Sequence, residues 1–321
     1  MNGPMSADTA TEEVLALLPE LGGTWCRIVG DRDDRSPVLL LHGGPGYNSE
    51  YLRPFEALAA TGRRVIRYDQ IGSGRSPVAD ECFARTDVFS IDLFRRELVA
   101  LREVLDLREV HVIGQSWGCM LALEHVLSGA AGVRSLVLES GLASMEEWNR
   151  ETLRLRSELP VDVLAVLDAE QAAGRKDSEA FKAAYAVWER RHVLRMDDPP
   201  EWEALALQLF EHDHRVYDVM TGGAEFPTGG ATTEFDAWDV RPRLAAVTVP
   251  TLLLSGRYDE ATPAVMRSLH AGIAGSEWLV LEEGSHSCHS EEETRTMVVV
   301  ADFLARVEAG IKGGSNRKER P

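Results

Sequence analysis

The segment HVIGQSWGCMLALEHV joins a short strand pattern to a helix pattern through five residues, 114–118. Glycines at positions 114 and 118 flank Ser116, and glycine is required where a Cβ atom would collide with the adjoining strand and helix. A turn of this kind strains the serine backbone and lifts the hydroxyl clear of the sheet. The helix that follows directs its first amides and its positive dipole end at the same point. Taken alone, the five residues are also consistent with a purely structural turn.

Strand and helix patterns alternate along most of the chain. Apolar runs at residues 25–29 and 38–41, separated by the charged stretch GDRDDRSP, indicate two strands joined as a hairpin. A third strand pattern follows at 63–69, and FSIDLFRRELVALREVL then shows helical periodicity ahead of the strands VHVIG and SLVLES. This alternation predicts an α/β fold with a mostly parallel central sheet and helices on both faces.

The alternation stops after Gly141 and resumes with the strand pattern VTVPTLLLSG. The stretch between them is amphipathic and rich in Glu, Arg, Trp and Ala, which predicts a helical cap inserted into the core. We expect the following division of the chain: an N-terminal extension at 1–22, the first part of the core at 23–141, the cap at 142–238, the second part of the core at 239–310, and a disordered tail at 311–321.

Charge and composition exclude several classes of protein. The 321 residues include 52 Asp and Glu against 34 Lys and Arg, a net charge of −18, which opposes binding to nucleic acid or to anionic lipid. The sequence shows no membrane-spanning stretch and no signal-peptide pattern at its N-terminus, so a cytoplasmic location is expected. Four scattered cysteines indicate reduced thiols rather than a disulfide framework.

Two further polar residues follow strand patterns in the second part of the core. Asp259 comes just after the strand in LLLSGRYDEATP, and His286 just after the strand in LVLEEGSHSCHS. Because the carboxyl ends of parallel strands meet at one edge of a sheet, both side chains are expected near Ser116. His286 would then accept the serine proton while Asp259 orients the imidazole. Glu260 and His289 are the alternatives for these two positions.

The segment LLLHGGPG carries a glycine-rich loop after an early strand, with Gly43 and Gly44 at its centre. In a fold of this class, that loop supplies a second backbone amide for a developing oxyanion. A tight turn or a phosphate loop is the alternative, but a phosphate loop would need a Lys and a Ser or Thr. The nearby segment YDQIGSGRS is expected to be structural, with Asp69 and Gln70 bonding to loop backbone.

Taken together, these segments resemble the α/β-hydrolase superfamily and, within it, the proline iminopeptidase family, which includes the tricorn-interacting aminopeptidases and amino-acid amidases. The resemblance rests on HGGPG, YDQIGSGRS, GQSWG, the block from FDAWDV to YDEATP, and GSH, in that order. It implies an α/β-hydrolase fold and an oxyanion hole formed by the amide of Trp117 with that of Gly44 or Gly43.

The resemblance also implies that acidic cap residues bind the substrate's α-ammonium group. The candidates are Glu225 in MTGGAEF, then Glu189 in AVWERRH, then Glu211 in QLFEHDH. A carboxylate on a partly buried ammonium gives affinity and rejects an acylated amine. The expected partner is therefore a small peptide or an amino-acid amide.

The sequence thus predicts a serine hydrolase that cleaves the amide bond after a free N-terminal residue, with proline or another small apolar residue favoured. It would act through an acyl-enzyme and need no metal or organic cofactor. The alternatives are an amidase or esterase acting on a small metabolite and, from another class, a catalytically silent binding protein. Retention of Ser116, Asp259 and His286 argues against the silent protein.

Overall fold

In the computed structural model, which describes residues 10–31, 34–85, 88–223 and 235–310, eight strands form one sheet. From β3 to β8 every neighbouring pair is parallel, whereas β2 is antiparallel to both β1 and β4. The strands are β1 Ala10–Leu18, β2 Gly22–Val29, β3 Val38–Leu41, β4 Val65–Tyr68, β5 Val110–Gln115, β6 Val133–Glu139, β7 Thr251–Gly256 and β8 Glu277–Leu281, in the spatial order β1-β2-β4-β3-β5-β6-β7-β8.

The helices lie in two groups. Those of the core are α1 Ile91–Val104, α2 Trp117–Leu127, α8 Pro263–Gly272, α9 Cys288–Glu291 and α10 Glu293–Glu308, with 3-10 helices at Glu50–Thr61, Asp80–Cys82 and Arg241–Ala246. Those between β6 and β7, which we call the cap helices, are α3 Met145–Ser157, α4 Val161–Ala172, α5 Glu179–His192, α6 Glu201–His212 and α7 Arg215–Thr221. None of the described helices is both long and apolar enough to cross a lipid bilayer.

The sheet is buried on both faces, as its continuous apolar strands require. Along β3, Leu39 and Leu41 pack into one apolar cluster while Val38 and Leu40 pack into another on the opposite face. The cap helices hold a third, smaller cluster of their own, centred on the fully buried Trp188. Two covered faces explain why the strand segments lack a polar alternation.

The start of the described chain belongs to the sheet. Within the N-terminal extension expected at 1–22, Ala10–Leu18 pairs with β2 as the edge strand. That edge strand is mostly exposed, so it carries little of the apolar pattern that marks a strand. The predicted hairpin between 25–29 and 38–41 is wrong, since β4 lies between β2 and β3. The fully buried β3 needs parallel neighbours on both sides, and the crossover through Glu50–Thr61 delivers β4 to it.

The cap helices all fall between residues 142 and 238, and the boundaries of that division stay a prediction. The tail at 311–321 and the segment 224–234, which includes Glu225, lie outside the described residues.

Candidate active site

Ser116 occupies the turn between β5 and α2 with φ 54° and ψ −121°, a backbone conformation that non-glycine residues seldom adopt. The two glycines around it permit this turn. A Cβ on Gly118 would lie 2.0 Å from the carbonyl oxygen of Leu41, and one on Gly114 would lie 2.4 Å from the carbonyl oxygen of Gly118. The strained serine turn expected from the sequence is therefore present, at the carboxyl edge of the sheet.

Asp259 and His286 meet at the same edge, beyond the ends of β7 and β8. The Nδ1 atom of His286 lies 2.8 Å from Oδ1 of Asp259, and both side chains are buried, with exposures of 7% and 1%. Oδ1 of Asp259 also accepts the amide hydrogen of Ala261 at 2.7 Å, which fixes the carboxylate. The side chain of Gln115, directly before Ser116, donates to the carbonyl oxygen of His286 at 3.0 Å. The structure thus joins the Asp–His pair to the serine turn.

The alternative residues take other positions. His289 is fully buried against Glu139, with Nδ1 2.8 Å from its Oε1, and its Nε2 lies 3.0 Å from the carbonyl oxygen of Tyr51. Burial alone would lower the pKa of His289, but the Glu139 carboxylate raises it above its ordinary value, which favours a charged imidazolium here. Glu260 does not replace Asp259. It lies on the other side of the imidazole, with Oε1 3.6 Å from Nε2 of His286.

The loop at 42–46 lies directly against the serine. A Cβ on Gly43 would come within 3.2 Å of the Cβ of Ser116. The Gly43 amide donates to the hydroxyl of Tyr51 at 2.6 Å, and Gly44 has φ +116°, in the region that favours glycine. Because the Gly43 amide already has an acceptor, the geometry favours Gly44 as the amide of this loop that faces a substrate.

His42 orients the peptide group that carries the Gly44 amide. Burial lowers the pKa of His42 to about 4, so the ring is neutral near neutral pH. Its Nε2 accepts the amide hydrogen of Gln70 at 2.9 Å, which places the ring proton on Nδ1, 2.8 Å from the carbonyl oxygen of Gly43. That carbonyl and the Gly44 amide belong to one peptide plane, so the histidine holds the plane and polarises its N–H.

Gln70 also connects this loop to the serine turn. Its Nε2 donates to the carbonyl oxygen of His42 at 2.9 Å, and its Oε1 accepts the indole hydrogen of Trp117 at 2.8 Å. The Trp117 amide belongs to the first turn of α2, where backbone N–H groups have no acceptor within the helix. The backbone role predicted for Gln70 is confirmed, and so is that of Asp69, which accepts the amide hydrogen of Ser49 at 2.8 Å.

The glutamates that could bind the substrate's ammonium group differ in how deeply they are buried. Glu189 and Glu211, on α5 and α6, are exposed, while Glu225 lies outside the described residues. Glu203 on α6, which the sequence reasoning missed, is 7% exposed and accepts a hydrogen bond from Ser290 at 2.5 Å. Burial raises the pKa of Glu203. Burial also raises the pKa of the Tyr47 hydroxyl, and the negative charges of Glu203, Glu189 and Glu211 raise it further.

Glu260 was also missed as a substrate-binding candidate, although it stands next to Asp259 in the sequence. It is 2% exposed, and its Oε2 accepts the indole hydrogen of Trp188 on α5 at 3.0 Å. Its burial comes from contact with the cap helices, which neighbouring sequence does not reveal. Within the described ranges, no group of three or more His, Cys, Asp or Glu side chains is arranged to hold a metal ion.

A strained serine on a strand-to-helix turn, with an Asp–His pair beyond two later strands, defines an α/β hydrolase. Residues 36–293 match the family model of the alpha/beta hydrolase fold. The chain is 35% identical to the proline iminopeptidase of Heyndrickxia coagulans, over 84% of this chain and 90% of that protein. It is 33% identical to the proline iminopeptidase structure from Mycobacterium smegmatis, which superposes with a TM-score of 0.83 over 94% of this chain and 99% of the other.

A further solved structure, that of VinJ, has a TM-score of 0.86 and 34% identity, over 92% of this chain and 99% of the other. The chain belongs to the proline iminopeptidase family of α/β hydrolases, and it is a hydrolytic enzyme.

Proposed function

We propose that this enzyme is a serine aminopeptidase, which removes an N-terminal residue from a small peptide or an amino-acid amide, with proline or a small apolar residue favoured. The observation that carries the proposal is the buried Glu260 carboxylate, 3.6 Å from Nε2 of His286. In an N-terminal residue the α-nitrogen lies only about 2.5 Å from the scissile carbonyl carbon, two bonds away. A group that binds this ammonium must therefore lie within a few ångströms of the reacting atoms, as Glu260 does.

The reaction would begin with attack by the Ser116 hydroxyl on the scissile carbonyl. His286 accepts the serine proton at Nε2, while its Nδ1–H donates to Asp259, which stabilises the imidazolium. The amides of Gly44 and Trp117 bind the oxyanion, and His286 then protonates the departing amine. Water, deprotonated by the same imidazole, hydrolyses the acyl-enzyme and releases the N-terminal residue.

Glu260 contributes to this scheme through charge as well as position. Burial removes the competing water from its carboxylate, so pairing with an ammonium group is worth more than on the surface. An N-acylated substrate offers no positive charge, so it would gain no attraction from this carboxylate. Glu189 and Glu211, exposed on α5 and α6, would add to the negative potential on the cap side of the site, and Glu225 stays a candidate from the sequence alone.

The test compares aminoacyl-β-naphthylamides of Pro, Ala and Leu with N-acetyl-Pro-β-naphthylamide, for the parent enzyme and for Glu260→Gln. The glutamine keeps an oxygen for the Trp188 indole but removes the charge. We expect KM for the free-amine substrates to rise about tenfold or more, the value of one charged hydrogen bond. Hydrolysis of the acetylated compound should be poor in both proteins.

Glu189→Gln, Glu211→Gln and Glu225→Gln belong in the same panel, each with a smaller expected rise in KM. If the parent enzyme hydrolyses free and acetylated substrates equally well, recognition of the amine is refuted. Activity on simple esters with none on any amide would instead indicate an esterase.

A further inference from the structure

The hydroxyl of Tyr51 lies between three segments that carry the proposed chemistry. Tyr51 belongs to the 3-10 helix Glu50–Thr61 and is 4% exposed. Its oxygen lies 2.6 Å from the amide nitrogen of Gly43, in the glycine-rich loop, and 2.6 Å from Oε1 of Gln115, next to Ser116. Nε2 of the same glutamine lies 3.0 Å from the carbonyl oxygen of His286.

The direction of each hydrogen bond in this chain is fixed by chemistry. The His286 carbonyl can only accept, so the Gln115 amide must turn its Nε2 toward it and its Oε1 toward Tyr51. Tyr51 must then donate its one proton to Oε1 and accept the Gly43 amide hydrogen on a lone pair. All three bonds run from the loop to His286 in one direction, and hydrogen bonds in such a chain strengthen one another.

Tyr51 is itself held in place. Its ring packs edge-on against Tyr47, with centroids 5.3 Å apart, and lies 5.4 Å from the ring of His289. Its backbone carbonyl accepts the Nε2 hydrogen of His289 at 3.0 Å. Burial raises the pKa of the Tyr51 hydroxyl well above its ordinary value, so the group keeps its proton for donation.

We propose that Tyr51, acting through Gln115, is a positioning residue. It holds the glycine-rich loop at 42–46, which we call the oxyanion loop, in a fixed position relative to Ser116 and His286. By occupying the Gly43 amide, it also determines that Gly44 faces the oxyanion. The inference rests on the proposed function, because it presupposes that Ser116 and His286 carry out the chemistry.

The test uses Tyr51→Phe, Gln115→Met and the double variant, assayed with Pro-β-naphthylamide and with a fluorophosphonate probe. The serine oxygen bonds to phosphorus and fluoride leaves, so the labelling rate reports the serine and oxyanion geometry whatever the natural substrate is. We expect kcat and the labelling rate to fall about tenfold in each single variant, the equivalent of one buried hydrogen bond, with KM within about twofold. In the double variant, kcat and the labelling rate should fall little further, because both changes break the same series of hydrogen bonds.

Tyr68→Phe is the matched control. Tyr68 is fully buried on β4, and its hydroxyl has no hydrogen-bond partner among the described residues. Its removal should leave kcat and the labelling rate unchanged.

The outcomes separate the two claims. An unchanged kcat and labelling rate in Tyr51→Phe, or a rise in KM alone, would overturn the positioning role. Failure of the parent enzyme to be labelled at Ser116 would overturn the proposed function, and the inference with it. Labelling without amide hydrolysis would refute the aminopeptidase while still measuring the role of Tyr51. If Tyr51→Phe does not fold, Gln115→Met carries the same test, and an unchanged rate there is equally decisive.

Discussion

Glu97 shows, at the scale of a single residue, how a carboxylate far from the chemistry supports the site. It is fully buried on α1, where Oε1 accepts the Thr24 hydroxyl at 2.7 Å and Oε2 accepts the amide hydrogen of Ile71 at 3.1 Å. Ile71 follows Gln70, which connects the oxyanion loop to Trp117. Glu97 thus joins the core to the segment that orients both proposed oxyanion amides.

Glu97 also makes stability depend on pH. Burial raises its pKa to about 7 from an ordinary value of 4.5, although bonds from Thr24 and Ile71 oppose the shift. Between these two values the folded chain binds more protons than the unfolded chain, so stability falls as pH rises. Above pH 7 the resulting loss in the free energy of unfolding, relative to low pH, amounts to about 3 kcal/mol by linkage.

Glu97→Gln should remove this loss, because the amide oxygen can accept from Ile71 while the amide nitrogen donates to Thr24. We predict that the free energy of unfolding of the variant increases relative to that of the parent by about 1–3 kcal/mol as pH rises from 5 to 8. Urea unfolding at several pH values measures the difference. Glu103→Gln, at an exposed position on the same helix, is the control and should show no such trend. A difference independent of pH would contradict the argument.

At the scale of the elements, two helices direct opposite ends at the site. The amino end of α2 begins at Trp117, beside the proposed oxyanion. The last carbonyl of cap helix α5, that of His192, accepts amide hydrogens from His286 at 3.1 Å and from Glu260 at 3.3 Å. The positive dipole end therefore faces the proposed oxyanion site, and the negative end lies beside the imidazole that becomes charged in the proposed reaction. Cap and core are consequently coupled at the catalytic loops.

Local sequence predicts some of these elements and not others. The serine turn follows from glycines within five residues, and the strand–helix alternation gives the parallel sheet. The placement of β4 between β2 and β3 depends on long-range pairing, which neighbouring residues do not encode. The same applies to the glutamates, because packing between the cap helices and the core buries Glu203 and Glu260 while leaving Glu189 and Glu211 exposed. Tyr51 was missed because its role depends on contacts with Gly43 and Gln115, the latter 64 positions away.

At the scale of the whole molecule, the net charge of −18 favours cationic substrates over anionic ones. Exposed carboxylates such as Glu189 and Glu211 contribute a potential that salt screens, whereas the buried Glu260 is screened much less. We predict that kcat/KM for Pro-β-naphthylamide falls about threefold between about 0.02 and 0.5 M NaCl. An uncharged ester substrate should show no such change. If both substrates respond alike, salt acts on the protein rather than on the attraction of the ammonium group.

The most direct measurement of the central claim is turnover of Pro-β-naphthylamide by the parent enzyme, Ser116→Ala and Ser140→Ala. Ser140 is the matched control, since it is a buried serine with φ 53° beyond the end of β6, and its hydroxyl has no hydrogen-bond partner among the described residues. We predict that Ser116→Ala loses about 10⁴-fold or more in kcat, while Ser140→Ala stays within about twofold of the parent. Turnover by Ser116→Ala at the parental rate would contradict the account.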